Sequence, residues 1–449
     1  MALITKSIKG TADMLPSESY KHEFIQQSIF DIAKNHGFKQ IGLPVFEHTE
    51  LFKRGVGDTT DVVQKEMYTF DDKGGRSITL RPEGTAGVVR SYLENGLFNE
   101  PMPQKLCYNI SCYRYEKPQA GRLREFHQFG AECIGSAAPA ADAEMISMAN
   151  DIFNYLGVKN LKLELNSIGC KTCRAEYHKA LKVYFDSKVD ELCGTCHDRL
   201  DKNPMRILDC KSPVCHEIGV DAPKVTDFLC EECDAHFTSV QTYLKAMGID
   251  FSVNSSIVRG LDYYSRTVFE FVSQDIGAQG TVCGGGRYDG LIEQMGGKPT
   301  PALGFAMGLE RLMLILQNQK APFPNEQKCD VYIATMGEAA SIKAAQIVTS
   351  LRSEGMHAEF DVVGRSVKAQ MKFANKIGAA FTIVIGDNEL ETKQAKLKNM
   401  DTGEDIEVNL DSFEDDFMRI SINESLKGLE DFGYESNIDI NSILNGNLF

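Results

Sequence analysis

An arginine, several carboxylates, an amide and an aromatic ring crowd into one stretch, Leu106 to Gly135, which reads LCYNISCYRYEKPQAGRLREFHQFGAECIG. Phe126, Gln128 and Glu132 fall at even spacing, so in a strand they share one face. Arg114 and Glu116 alternate at the other end. Such a mixture on a sheet face looks like a binding floor; a solvated face beside a basic turn is the plainer alternative. Other candidates are spread along the chain. Glu83 and Thr85 stand at a turn where a helix begins. A carboxylate there suits an ammonium ligand through charge-assisted hydrogen bonds, although an exposed charge at a turn is commoner. Arg259 adjoins Gly260, with Tyr263 and Tyr264 just beyond. Arg311 falls near a helix start, where the helix dipole offers a cation nothing.

Eight of the 13 cysteines lie between Cys170 and Cys233, as the pairs Cys170/Cys173, Cys193/Cys196, Cys210/Cys215 and Cys230/Cys233. Two such pairs present four thiolates to one tetrahedral ion. One or two structural Zn²⁺ sites, far from any reaction centre, are one expectation; reduced thiols buried as small apolar groups are the other.

Periodicity shows the elements that must position these residues. Two β-like runs, Leu106–Tyr113 and Phe126–Ile134, flank a polar, basic turn punctuated by Pro118 and Gly121, which predicts a long antiparallel hairpin. A helix from Pro16 to about His36 precedes a strand from Phe38 to Phe46. In SITLRPEGTAGVVRSYL an extended segment ends at Arg81-Pro82, Glu83-Gly84 turn, and a helix starts at Thr85. Ala140–Leu156 reads as a helix, Leu161–Asn166 as a strand and Gly248–Gln274 as β. CGGGRYDGL, from Cys283, marks a close backbone approach. PALGFAMGLERL sets Ala302, Gly304 and Ala306 on one strand face, leaving room for a flat ligand, before a helix near Gly308. Gln317–Lys328 is a polar linker with two prolines. Beyond it the strands Cys329–Met336, His357–Val362 and Ala380–Gly386 alternate with helices Ala339–Glu354 and Ser366–Ile377, which predicts a parallel α/β sheet. Arg365, Lys368 and Lys372 on the second helix fit a solvated face equally well. A helix around Phe413 to Leu429 is expected in an acidic tail.

With 449 residues and 43% hydrophobic content, the chain can bury a large core in two or three domains. No apolar run approaches the roughly 20 residues that span a bilayer, and no signal-like segment opens the chain. The cysteines suit a reducing compartment, so a cytoplasmic protein without a membrane partner is expected. A net charge of −15 argues against a general nucleic-acid binder. Residues 401–449 carry −11 of it, which leaves −4 elsewhere, so a local basic patch can still meet phosphates.

RYE, a basic loop and REFHQFGAE resemble motif 2 of class II aminoacyl-tRNA synthetases, in the form found in the histidyl-tRNA synthetase family. Three blocks agree in the same order. The first helix and its Pro-containing strand resemble motif 1, RGLDYYSRTVFE resembles the family's arginine block with Ser265 where Thr or another small polar residue often stands, and PALGFAMGLERL resembles motif 3. The resemblance extends to about Asp411. It implies an α/β protein: an α+β catalytic domain over 1–325 with a mainly antiparallel sheet, interrupted by a helical, Cys-rich insertion at 170–240. An α/β anticodon-binding domain over 326–411 and an acidic extension over 412–449 would follow.

The activity implied is that of a histidine–tRNA ligase. It would activate L-histidine with ATP and Mg²⁺ to histidyl-adenylate, then pass the histidyl group to the 3′ end of the histidine tRNA, as a homodimer. Carried over residue by residue, Glu83, Thr85 and Gln128 would surround the amino group of histidine, and Glu132 and Tyr264 its imidazole, with Tyr263 alongside. Arg114 and Arg259 would be catalytic at the α-phosphate and touch both substrates. Phe126 and Arg311 would sandwich adenine, Glu116 would accept from its amine, and Arg122 would meet the pyrophosphate. Lys117 and Arg124, at the loop tip, would face the tRNA acceptor end. The rival resemblance is to the synthetase-like, histidine-binding regulatory subunit of ATP phosphoribosyltransferase. Such proteins typically lack the C-terminal α/β domain and have an eroded arginine block; in this sequence RGLDYY is intact and the C-terminal domain is present.

Overall fold

In the computed structural model, which describes residues 4–57, 60–210, 212–259, 261–275 and 280–430, strand Gln104–Tyr113 pairs antiparallel with Glu125–Ile134. Their register is unbroken, from Gln104 opposite Ile134 to Tyr113 opposite Glu125. The hairpin lies inside an eight-stranded sheet whose order is Lys39–Gln40, Gln104–Tyr113, Glu125–Ile134, Ala302–Gly308, Thr281–Arg287, Ser265–Ser273, Leu161–Ser167 and Ser252–Val253. All neighbours are antiparallel except the two short edge pairs. Period-two alternation sorts the hairpin's side chains. Phe129, Ala131 and Cys133 join the core under helices Pro16–Asn35, Pro139–Tyr155, Glu231–Ala246 and Leu309–Asn318. Leu106, Tyr108, Ile110 and Cys112 face the other way, against Val88, Val89 and Tyr92 of helix Thr85–Glu94. Each Leu, Ile or Phe buried in this way contributes about 1.5–3 kcal/mol.

A buried ion pair ties the sheet to its helical cover. Arg287 is fully buried; its Nη2 donates to Asp142 Oδ2 at 2.6 Å and its Nη1 to Ser136 O at 2.9 Å. Three residues before it, Gly284 has no room for a side chain, because a Cβ would collide with the Arg259 guanidinium.

The strand expected from Phe38 to Phe46 is instead two short strands in different sheets, Lys39–Gln40 and Phe46–His48. Pro44 has no N–H to donate to a ladder, and the carbonyls around it turn to Arg81. Its Nη1 donates to Leu43 O at 2.6 Å and Pro44 O at 2.9 Å.

The chain divides into two units, Met1–Pro324 and Asn325–Phe449. In the second, Ala358–Phe360, Val331–Thr335 and Phe381–Ile385 are parallel, but Gln394–Asn399 and Asp405–Asn409 add an antiparallel hairpin, so the sheet is mixed rather than parallel. The acidic helix Phe413–Glu430 is not an appendage beyond residue 411. Phe413 and Phe417 are fully buried in the core of this unit, Phe417 edge-on to Phe381 at 5.5 Å. Gly260 and residues 431–449, the latter part of the acidic tail, lie outside the described residues.

Candidate active site

The sheet face away from the main helical cover floors a cleft of about 980 Å³. Hairpin, glycine-rich strand and motif-3 strand meet there. Arg114, just past strand Gln104–Tyr113, donates from Nε to Pro82 O at 2.8 Å and lies 5.3 Å from the Phe126 ring centroid. Glu116 is buried and pairs with Arg122, with Arg114 Nη1 3.9 Å from its other oxygen. A cation is thus already set against an aromatic face, a geometry that suits a flat ring.

Arg259 enters from the opposite side. Its guanidinium pairs with Glu270 and lies 5.7 Å from the Tyr264 ring centroid. Burial works against its charge, yet Glu270 keeps the guanidinium more firmly protonated than usual. Its Nε is buried without a hydrogen-bond partner. Glu270 Oε2 accepts from Thr281 Oγ1 at 2.6 Å, and the Thr281 carbonyl accepts from Arg311 Nη1. One chain of contacts therefore connects Arg259 to Arg311 across two adjacent strands.

Glu83 is buried rather than an exposed charge. Its carboxylate caps helix Thr85–Glu94, accepting Thr85 N at 2.7 Å and Ala86 N at 2.9 Å. Burial pushes its pKa up, and those N–H groups partly restore it. Glu132 lies beside Gly304, fully buried, and accepts hydroxyls from Thr85 at 2.8 Å, Tyr108 at 2.9 Å and Tyr288 at 2.6 Å. Burial raises its pKa to about 8 despite those donors. The three hydroxyls take three of a carboxylate's roughly four lone-pair sites, and the fourth is where the retained proton sits. Gln128, Tyr263 and Tyr264 line the cleft, the two tyrosines 4.7 Å apart at their centroids.

Two placements differ from expectation. Arg124 is not at the loop tip; it precedes strand Glu125–Ile134, stacks on Tyr115 at 3.9 Å and donates to Glu116 O at 3.2 Å. Lys117 alone of that pair is exposed. The Cys-rich insertion is not remote either. Cys193, Arg199, Arg206 and Cys210 border the cleft, and Arg206 Nη1 donates to Arg259 O at 3.3 Å.

Sequence reasoning missed Glu270, Thr281, Tyr108, Tyr288 and the pair His127–Glu310, joined at 2.8 Å with His127 held above its usual pKa by that hydrogen bond. Glu270 could have been found, since it interrupts the otherwise apolar run Val268–Val272 in the middle of its strand. Tyr108 stands opposite Gly130, a small-against-large pairing that only the register reveals.

The comparisons agree with this geometry. The family model described as histidyl-tRNA synthetase matches residues 10–172 and 222–312, and the anticodon binding domain matches residues 330–418. The histidine–tRNA ligase of Acetivibrio thermocellus is 56% identical over 410 residues, covering 91% of this chain and 98% of that protein. The chain belongs to the histidyl-tRNA synthetase family. The ligase of Clostridium novyi is 52% identical over 407 residues, covering 91% and 97% of the two chains. The apo histidyl-tRNA synthetase of S. aureus superposes with a TM-score of 0.79 at 41% identity, covering 92% of this chain and all of that one. A synthetase fold with a catalytic unit and an anticodon-binding domain is therefore established, and the regulatory-subunit reading is not favoured.

Proposed function

We propose that this histidine–tRNA ligase carries out both half-reactions in the described cleft, with the roles set out here. In the first, a carboxylate oxygen of histidine attacks the α-phosphorus of ATP and pyrophosphate leaves. No general base is needed, because an α-carboxyl with a pKa near about 3.5 is already ionised at neutral pH. The protein must position two anions and stabilise the charge that builds on phosphorus. The observation that carries the reading is Arg259: a half-buried guanidinium, anchored by Glu270, with its buried Nε–H unpaired. That N–H is the natural donor to the reacting phosphate or carboxylate. Arg114 supports it from the hairpin.

Adenine would lie between Phe126 and Arg311, with Glu116 accepting its amine and Arg122 turning to the pyrophosphate. Glu83, Thr85 and Gln128 would receive the amino group of histidine. Tyr264 and the remaining site of Glu132, which bears the proton at neutral pH, would meet the imidazole nitrogens, with Tyr263 packing behind. A pocket that pairs both ring nitrogens rejects an apolar isostere by roughly 10⁴–10⁵, since unpaired buried polar groups are costly. In the second half-reaction a ribose hydroxyl at the tRNA 3′ end attacks the carbonyl carbon and AMP leaves. Lys117 on the exposed loop would meet the acceptor strand, with Arg124 acting through Tyr115 and Glu116 rather than directly.

Mg²⁺ fits as a partner of the ATP phosphates. The cleft's carboxylates Glu116, Glu270 and Glu310 are already paired with Arg122, Arg259 and His127. Among the described residues no carboxylate cage converges on one point, so phosphate oxygens and water would hold most of the ion. Glu116 and Glu310 are the side chains that could add a ligand. Mg²⁺ would neutralise phosphate charge there. A homodimer in the cytoplasm is proposed from the motif-1 resemblance. Exposed Val45 and Phe46 on that segment support it, and no described helix is long and apolar enough to cross a membrane.

ATP–pyrophosphate exchange tests the reading. Strict dependence on histidine, followed by charging of histidine tRNA, is the expected result; exchange without histidine, or none with it, would overturn it.

A further inference from the structure

We propose that the Cys-rich insertion holds two structural Zn²⁺ ions, one bound by Cys170, Cys173, Cys230 and Cys233 and the other by Cys193, Cys196, Cys210 and Cys215. Spacing alone permits several pairings of the four couples. The fold selects one: within each quartet all four sulfurs lie within 4.8 Å of one another. A tetrahedral tetrathiolate ion with Zn–S bonds of about 2.3 Å requires S–S edges of roughly 3.8 Å. Cys170 and Cys173 Sγ are 3.6 Å apart, and Cys193 and Cys210 Sγ 3.8 Å. None of these cysteines forms a disulfide. The sulfurs are also too close to embrace an iron–sulfur cube, which a single ion replaces as the natural occupant.

The helix starts supply a second, independent observation. Cys170, Cys193 and Cys230 are the caps of helices Lys171–Asp186, Gly194–Lys202 and Glu231–Ala246. Cys173, Cys196 and Cys233 are the third residues of those helices, and Cys215 is the third residue of Pro213–Val220. First-turn N–H groups without helical partners therefore surround thiolates at the same positions throughout. N–H···S bonds knit the quartets across the sequence. Cys230 N donates to Cys173 Sγ at 3.1 Å, and Cys193 N donates to Cys215 Sγ at 3.2 Å. Such backbone donors are what orient thiolates around a bound ion. Four neutral thiols packed as small apolar groups would need no common orientation of this kind.

The two ions divide the work. The first quartet joins the entry and exit of the insertion, so it clamps the neck. Arg174, next to it, donates from Nη1 to Tyr264 O at 3.1 Å, which connects the neck to the histidine pocket. The second quartet lies wholly within residues 173–221, which the synthetase family model leaves unmatched. It braces helix Gly194–Lys202 and the turn bearing Arg206, whose guanidinium meets the carbonyl of Arg259. A segment this short rarely supports a core without a staple.

The full-length protein, purified without chelator, is expected to contain about two zinc ions per chain by elemental analysis. Grown with cobalt, it should show the ligand-field and thiolate charge-transfer bands of a tetrahedral tetrathiolate centre at two equivalents. Cys170→Ser/Cys173→Ser and Cys193→Ser/Cys196→Ser should each lose one ion and keep the other. If either variant is insoluble, titrating the wild type with a mercurial settles the matter, since zinc should leave in two steps of four thiols each. Fewer than about half a zinc per chain with eight freely reactive thiols, a single ion per chain, iron in place of zinc, or loss of both ions from one pair variant would each overturn the assignment.

Discussion

Glu132 joins the pocket's chemistry to its stability. Its carboxyl is pushed up to about 8, chiefly by burial, with the Tyr288, Thr85 and Tyr108 hydroxyls pulling the other way. The folded protein therefore keeps a proton that the unfolded chain gives up at an ordinary glutamate pKa, near about 4.3. Stability from this group is complete below that value and is lost as pH rises through about 8. Without ligand, wild-type melting temperature should fall between pH 5 and 9 more steeply than that of Glu132→Gln, by about 2 °C or more; parallel curves from scanning fluorimetry would contradict this. The same variant should raise the KM for histidine more than that for ATP. At Arg259 the expectation concerns rate. Arg259→Ala should lower histidine-dependent exchange by about 10²–10³-fold, with equilibrium histidine binding within about tenfold, because the lost donor acts mainly in the transition state. Wild-type exchange in that variant would remove Arg259 from the chemistry.

Elements determine how firmly those residues are held. The hairpin carries Phe126, Gln128 and Glu132 on one strand in continuous register with its partner, with Arg114 and Glu116 just past the partner's end, and a one-residue slip would turn the three strand residues away from the cleft. Helix Phe413–Glu430 shows the same dependence in the second unit. Ending the chain after Asp411 removes Phe413 and Phe417, both fully buried. Loss of a buried Phe typically costs about 3–5 kcal/mol, so that truncation should give insoluble or early-melting protein, while a chain ending after Glu430 should melt like the wild type. Equal melting of the two would show that the helix is dispensable.

For the whole molecule, charge is the property that meets tRNA. The acidic excess is concentrated near the C-terminus, and residues 431–449 hold three acidic residues and no Lys or Arg. Removing them should lower the KM for tRNA by at most about twofold at low salt, with the effect vanishing once screening shortens the Debye length below about 8 Å. Histidine-dependent exchange should not change. A tRNA KM that rises on removal would mean the tail assists binding.

Local sequence determined much of this protein. Side-chain alternation in strands is set by backbone geometry, so the face shared by Phe126, Gln128 and Glu132 was legible from spacing. Helix Pro139–Tyr155, helix Thr85–Glu94 and the motif-3 strand and helix fall within a residue or two of where periodicity and turn chemistry put them. Contacts between distant segments were not legible. The break at Pro44 depends on Arg81 reaching its neighbours' carbonyls, and the burial of Glu83 depends on the strands around its helix. The bridge from Arg259 through Glu270 and Thr281 to Arg311 depends on the register of strands Ser265–Ser273 and Thr281–Arg287. Four cysteine couples could be written down from the chain, but which two meet is a matter of how the helices that they cap return to one another. Pairwise geometry across long loops leaves no local pattern, and there the tertiary structure alone decides.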